Sequence, residues 1–259
     1  MADQGAAHEG PAGLDALPAH PDQPESPDPS EKDTMAISVK RTSNAHANGV
    51  KLLVFGAAGA GKTTLIKTLP NPVIISAEAG LLSLVGEDLP YVEVSTMAEL
   101  HDAYRWVAES AEAREFESVA VDSISEIGEV VLAHEKRANK DGRAAYGEMG
   151  VQMMELLRAF RDLSGKHVYM SAKCEKAQDE QGRILYSPSM PGNKLAQAIP
   201  YLVDEVLALR VEKDADGAPQ RALMCAPDGL WTAKDRSGRL DPWEPADLGA
   251  VIRKIGGAS

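Results

Sequence analysis

Gly56-Ala57-Ala58-Gly59-Ala60-Gly61-Lys62-Thr63 satisfies the pattern G-x-x-x-x-G-K-[ST] at every fixed position, and the rest of the chain is read outward from it. Before it, Val50-Lys51-Leu52-Leu53-Val54-Phe55 predicts a buried strand; after it, Thr64-Leu65-Ile66-Lys67-Thr68-Leu69 predicts a helix. Strand, glycine-rich turn and helix are the context a phosphate-binding loop requires. Glycines let the backbone wrap a polyphosphate, successive N–H groups point inward, and the loop opens on the positive end of a helix dipole. The candidate nucleotide-binding residues are therefore Gly56, Ala57, Ala58, Gly59, Ala60, Gly61, Lys62, Thr63 and Thr64. ATP with Mg²⁺ is the expected ligand: Lys62 would reach the β- and γ-phosphates, and Thr63 would ligate the metal.

Outward from the loop, short apolar runs alternate with helical patterns, the signature of an α/β fold with a mostly parallel central sheet flanked by helices. Strands are expected over residues 72–77, 91–94, 118–122 and 167–171. Helices are expected where Met97, Leu100, Tyr104 and Val107, then Ile124, Ile127, Val130 and Val131, then Tyr146, Met149, Met153, Leu156, Phe160 and Leu163 recur at three-four spacing. The methionines on the last face are read as core filling. Residues 175–188 predict a polar hairpin, 194–199 a short helix, and 203–212 with 220–226 C-terminal antiparallel strands. A last helix carries Leu248, Val251, Ile252 and Ile255. No internal repeat is visible.

Composition bounds the function classes. The chain has 259 residues with a net charge of −12, so any nucleic-acid site must be a local basic patch. Cys174 and Cys225 are far apart and form no C-x-x-C, which offers neither a zinc site nor a disulfide framework and fits a reducing compartment. Neither a secretory leader nor an apolar run of membrane-spanning length is read, so a cytoplasmic protein without a membrane partner is expected. Residues 1–45 form an acidic Pro-rich tail, with Pro18, Pro21, Pro24, Pro27 and Pro29 closely spaced, and are expected to be disordered. Within them, Met35-Ala36-Ile37-Ser38-Val39 reads as linker or as a strand that pairs only in an assembly. Residues 46–259 are expected to form the ATP-binding domain.

Two carboxylates bear on what happens to the nucleotide. Asp122 ends the apolar run Val119-Ala120-Val121, where an acidic residue is expected to hold the Mg²⁺ shell beside the loop, since neighbouring strands of a parallel sheet converge on one crevice. The competing reading makes it a helix cap. Glu78 follows Ile74-Ile75-Ser76-Ala77 and reads either as a general base for the attacking water or as a lone glutamate after a strand.

The ordered series of loop, Ser76-Ala77-Glu78-Ala79, Val121-Asp122-Ser123 and Lys234-Asp235-Arg236 resembles the RecA recombinase core. More closely, it resembles the short phage RecA-like ATPases that bind single-stranded DNA and promote annealing. The resemblance spans about residues 50–236 and implies a RecA-like, DNA-stimulated, Mg²⁺-dependent ATPase that assembles as a ring or filament of identical subunits. If phage-encoded, it would act in the cytoplasm of a bacterial host. On this resemblance Glu78 falls on the catalytic glutamate, Asp122 on the metal-associated aspartate and Lys173 on the γ-phosphate sensor, where recombinases commonly carry glutamine or histidine. Lys234 and Arg236 fall on a basic pair directed at the neighbouring subunit's nucleotide, in the manner of an arginine finger. Two DNA-contacting loops would correspond to residues 136–147, with Lys136, Arg137, Lys140, Arg143 and Tyr146, and residues 174–193 with the flanking Lys194, which add Lys176, Arg183 and Tyr186. With no evident room for RecA's further C-terminal domain, annealing or strand coating is expected over strand exchange. The rivals are a nucleotide-gated DNA-binding assembly protein with little turnover and a P-loop small-molecule kinase; no acceptor pocket or arginine-bearing lid is read for the kinase.

Overall fold

The computed structural model describes residues 41, 48–78, 80–178, 181–213 and 216–257. The expected acidic tail, with the 35–39 run inside it, lies outside the described residues apart from Arg41.

Among the described residues, ten strands form one sheet. They are β1 (Lys51–Gly56), β2 (Pro72–Ser76), β3 (Tyr91–Glu93), β4 (Ser118–Asp122), β5 (His167–Gln178), β6 (Ile184–Ser189), β7 (Glu205–Lys213), β8 (Pro219–Met224), β9 (Lys234–Asp235) and β10 (Trp243–Pro245). Their order is β10-β8-β7-β1-β5-β4-β2-β3, with β6 paired to β5 and β9 to β7. The run from β3 to β7 is parallel, whereas β8, β10, β6 and β9 pair antiparallel. This is the α/β architecture expected from the sequence, C-terminal antiparallel strands included.

The α-helices of the described residues are α1 (Lys62–Leu65), α2 (Met97–Glu109), α3 (Ile124–Ala138), α4 (Gly142–Arg161), α5 (Asn193–Leu202) and α6 (Leu248–Gly256). Helices α2 to α5 cover one face, where Leu53, Phe55, Ile75, Val121 and Met170 meet Leu100, Ile127, Met149, Met153 and Phe160. On the other face Leu52, Val54, Ile74, Ala120 and Tyr169 meet Leu65, Ile66, Leu248 and Val251. Burial on both faces is why the central strands read as continuous apolar runs rather than as alternating ones. Phe160 is fully buried and meets Tyr104 edge-on at 5.2 Å between ring centroids. Its truncation to alanine should cost about 3–5 kcal/mol.

Two expectations need correction. The helix after the loop is only one turn, followed by the 3₁₀ turn Ile66–Thr68, because Leu69 is extended ahead of Pro70 and a residue before proline avoids the helical region. The basic stretch 136–147 is not a loop. Lys136 and Arg137 are in the last turn of α3, and Arg143 to Tyr146 are in α4, with only Asn139, Lys140 and Asp141 between the helices. The Asp141 side chain accepts from the Arg143 N–H at 2.9 Å and so caps α4 at once.

Candidate functional site

Parallel pairing brings the chemistry to one end of the sheet. The register aligns Gly56 of β1 with Lys173 of β5, and Ser76 of β2 with Asp122 of β4, so the loop, Glu78, Asp122 and Lys173 emerge side by side. They line a cavity of about 680 Å³ together with Ala58, Gly59, Gly61, Thr63, Thr64 and Arg221. At Gly56 a Cβ would lie 2.7 Å from the Leu209 carbonyl, so the loop can leave β1 beside β7 only without a side chain there.

Thr63 Oγ1 donates to Asp122 Oδ2 at 2.7 Å, although β5 lies between β1, which leads into the loop, and β4, which carries Asp122. Ser171 of β5 fills that gap by donating to Asp122 Oδ1. Asp122 is almost fully buried, and burial pushes its carboxyl above the usual range, opposed by the hydrogen bonds from Ser171 and Thr63. It does not cap α3: Ser123 does, accepting from the Glu126 N–H at 3.3 Å. The same Ser123 hydroxyl donates to Glu78 Oε1 at 2.5 Å, holding that carboxylate in the cavity wall. Glu78 is thus tied to the residue next to Asp122 rather than standing alone after its strand.

Lys62 folds back over the loop, with Nζ donating to the carbonyls of Gly56 at 3.0 Å and Ala57 at 3.2 Å. Burial lowers its pKa, with Asp122 and Glu78 pulling the other way. Beneath α1, the buried Tyr169 donates its hydroxyl to the Lys62 carbonyl at 2.8 Å and anchors the first turn after the loop. Lys173 is exposed and paired with Glu126 at 2.6 Å, a bond that raises its pKa.

A hydroxyl and a carboxylate 2.7 Å apart are the hard oxygen donors that Mg²⁺ takes in phosphate-loop proteins, so the residues present fit the metal. The glycine-rich turn with a lysine over it likewise fits a polyphosphate.

The remaining sequence-predicted residues lie elsewhere. Neither Lys234 nor Arg236 lines the cavity. Lys234 Nζ donates at 2.6 Å to the carbonyls of both Pro200 and Val203, closing off the end of α5, while Arg236 is exposed and pairs with Asp204 at 3.0 Å. Among the DNA candidates, Lys136, Arg137, Lys140 and Arg143 are exposed around the α3–α4 corner, and Arg183 is exposed at the tip of the β5–β6 hairpin. Lys136 sits 5.3 Å above the Tyr146 ring. Tyr146, Arg143 and Lys194 line a second cavity of about 670 Å³, between α4 and the start of α5, with Met149, Val151 and Met154. Tyr186 is already stacked on Trp231 at 4.4 Å, which in turn packs on Phe55 of β1.

Sequence reasoning missed Ser171, Ser123, Tyr169 and Arg221. The first three carry a weak signal, polar groups at strand ends or within an apolar strand, but nothing local announces Arg221.

A phosphate loop leaving a buried parallel strand, with an acidic residue two strands away bonded to the loop threonine, defines a P-loop ATPase domain. The family model described as AAA domain matches residues 48–237, and the chain belongs to that family. Among solved structures, a KaiC-like protein from the hyperthermophilic archaeon Pyrococcus horikoshii is similar at 15% identity. That match covers 68% of this chain and 78% of the other at a TM-score of 0.38. No curated protein matches. Among the described residues no helix is long and apolar enough to cross a membrane.

Proposed function

We propose that this ATPase domain hydrolyses ATP with Mg²⁺ and acts on single-stranded DNA in recombination or annealing, in an assembly of identical subunits. The observation that carries the hydrolytic part is the chain Thr63–Asp122 and Ser123–Glu78 converging on the loop cavity. Thr63 Oγ1 and the Asp122 carboxylate would hold Mg²⁺, which when bound offsets the negative charge of the phosphate oxygens. Lys62 would exchange its two backbone carbonyls for phosphate oxygens, a trade of neutral acceptors for charged ones. Glu78, oriented through Oε1 by Ser123, would take the proton of the attacking water on Oε2.

The DNA arm is supported by the second cavity, where basic residues rim an apolar floor beside the exposed ring of Tyr146. That combination suits a backbone held by charge and a base laid on a ring. The assembly is supported by Arg236, exposed on its own subunit, and by the exposed apolar residues Leu82, Val85 and Tyr91 beside the edge strand β3. One observation favours a second reading, nucleotide-gated assembly with little turnover: the Lys234 ammonium is already taken by two carbonyls of its own chain. Glu78→Gln separates the readings. Under the first, ATP turnover collapses while ATP binding persists; under the second, the parent's slow turnover is unchanged by the substitution.

A further inference from the structure

The loop cavity contains a cation that the phosphate-loop motif does not supply. Arg221 stands on β8, 161 residues along the chain from its contact, and its Nε donates to the Ala60 carbonyl at 2.8 Å. A Cβ on Gly61 would lie 2.8 Å from that Nε, so the guanidinium rests directly on the loop. Gly61 has φ +104°, a conformation that favours glycine there.

The other two cations lining the cavity are engaged: Lys62 on two backbone carbonyls, Lys173 on Glu126. Among the described residues, the two Nη groups of Arg221 have no hydrogen-bond partner and no carboxylate pairs with them. With Nε spent on Ala60, the guanidinium keeps the planar edge that takes phosphate oxygens side by side. Its place is fixed by what it touches. Ala60 and Gly61 immediately precede Lys62, where the backbone cradle of the α- and β-phosphates meets the lysine reach to β and γ. The phosphate common to both ranges is β.

We infer that Arg221 is a phosphate-binding residue acting within its own subunit: Nε clasps the loop, and the Nη edge binds the β-phosphate of a nucleoside di- or triphosphate. The inference rests on reading this cavity as the nucleotide site. It makes the antiparallel β7–β8 pair part of that site and predicts a residue that serves affinity, since the β-phosphate contact is present in substrate and product alike. ATP and ADP should feel it equally, and AMP not at all.

The test is titration of the full chain with Mg²⁺ and ATP, ADP or AMP, beside steady-state turnover, for Arg221→Ala and Arg221→Lys. Arg221→Ala should weaken ATP and ADP about tenfold or more, as loss of a charged hydrogen bond does, and raise KM with kcat unchanged. AMP affinity should not move. Arg221→Lys should recover part of the loss, because charge remains while the fork is gone. Parent affinities for ATP and ADP in Arg221→Ala overturn the inference, as does a fall in kcat at constant KM. A merely structural clasp lowers the thermal midpoint of the ligand-free protein while leaving the ATP-to-AMP affinity ratio at the parent value, and that result overturns it too. Should the alanine variant fail to fold, the lysine variant reads the same ratio. Lys62→Ala in the same titrations separates the levels. If it binds ATP and ADP like the parent, the nucleotide-site reading itself fails; if it loses them while Arg221→Ala does not, only the role of Arg221 fails.

Discussion

At the loop end of the sheet, polar side chains from four strands and the turns after them meet within hydrogen-bond distance, each held by another. Around the α3–α4 corner, by contrast, the cations stand exposed on the two helices and the short link between them. The first region is preorganised: Asp122 is fixed from two sides, Glu78 from one, and Lys62 over the loop. The second has exposed charge and one accessible ring over an apolar cavity, and its hydrogen bonds run among Glu135, Asn139 and Gln152 rather than through the cations. Dense, bonded geometry suits a step in which charge must be met at fixed positions. A loose basic surface suits a ligand whose charge repeats along a backbone and whose sequence is not read.

Substitutions sharpen that contrast, and the largest effect belongs to the bonded region. Lys62→Ala should abolish measurable ATP binding or turnover. Glu78→Gln should retain ATP binding but lower turnover by about 10²- to 10⁴-fold, the range of a lost general base, measured as steady-state phosphate release. In the loose region no single residue should dominate. Replacing Arg137, Lys140 and Arg143 together with alanine should weaken single-strand binding and flatten the slope of log affinity against log salt by about 2. If one of the three accounts for the whole loss, the region is a specific pocket and the contrast breaks.

The smallest effect lies at a control away from both regions. Glu205, at the start of β7, is buried beside Asp235, and among the described residues its Oε2 has no hydrogen-bond partner. Burial first, then the charge of Asp235, pushes its pKa up from 4.5 to about 8. A raised folded-state pKa means the unfolded chain binds fewer protons between these values, so this group's stabilisation is complete below 4.5 and is lost as pH rises through about 8. Glu205→Gln should therefore raise the thermal midpoint by a few degrees relative to the parent above that pH, and by less in acid. Thermal melts across the range check the sign, and ATP turnover should stay unchanged.

The contrast also explains what could be read from the sequence. Gly56, Gly61, Lys62 and Thr63 are legible because their chemistry depends on spacing within one turn. Asp122 and Glu78 are legible as strand-end carboxylates, since parallel strands deliver their ends to a common crevice. Ser171 and Arg221 are not, because their relation to the loop is set by which strand lies beside which: β5 between β1 and β4, and β8 one strand beyond β7. The 136–147 stretch misled for the opposite reason. Its position in the RecA-like series implied a loop, but Lys and Arg are good helix formers and Asp141 is a good cap, so two helices run through nearly all of it.

The central claim is that the bonded site and the basic surface work together. The most direct measurement is ATP turnover by the full chain with Mg²⁺, with and without single-stranded DNA. The account predicts that DNA stimulates turnover and that the stimulation, but not the basal rate, falls in the Arg137, Lys140 and Arg143 triple variant. Turnover indifferent to DNA, or stimulation untouched by the triple variant, would contradict it.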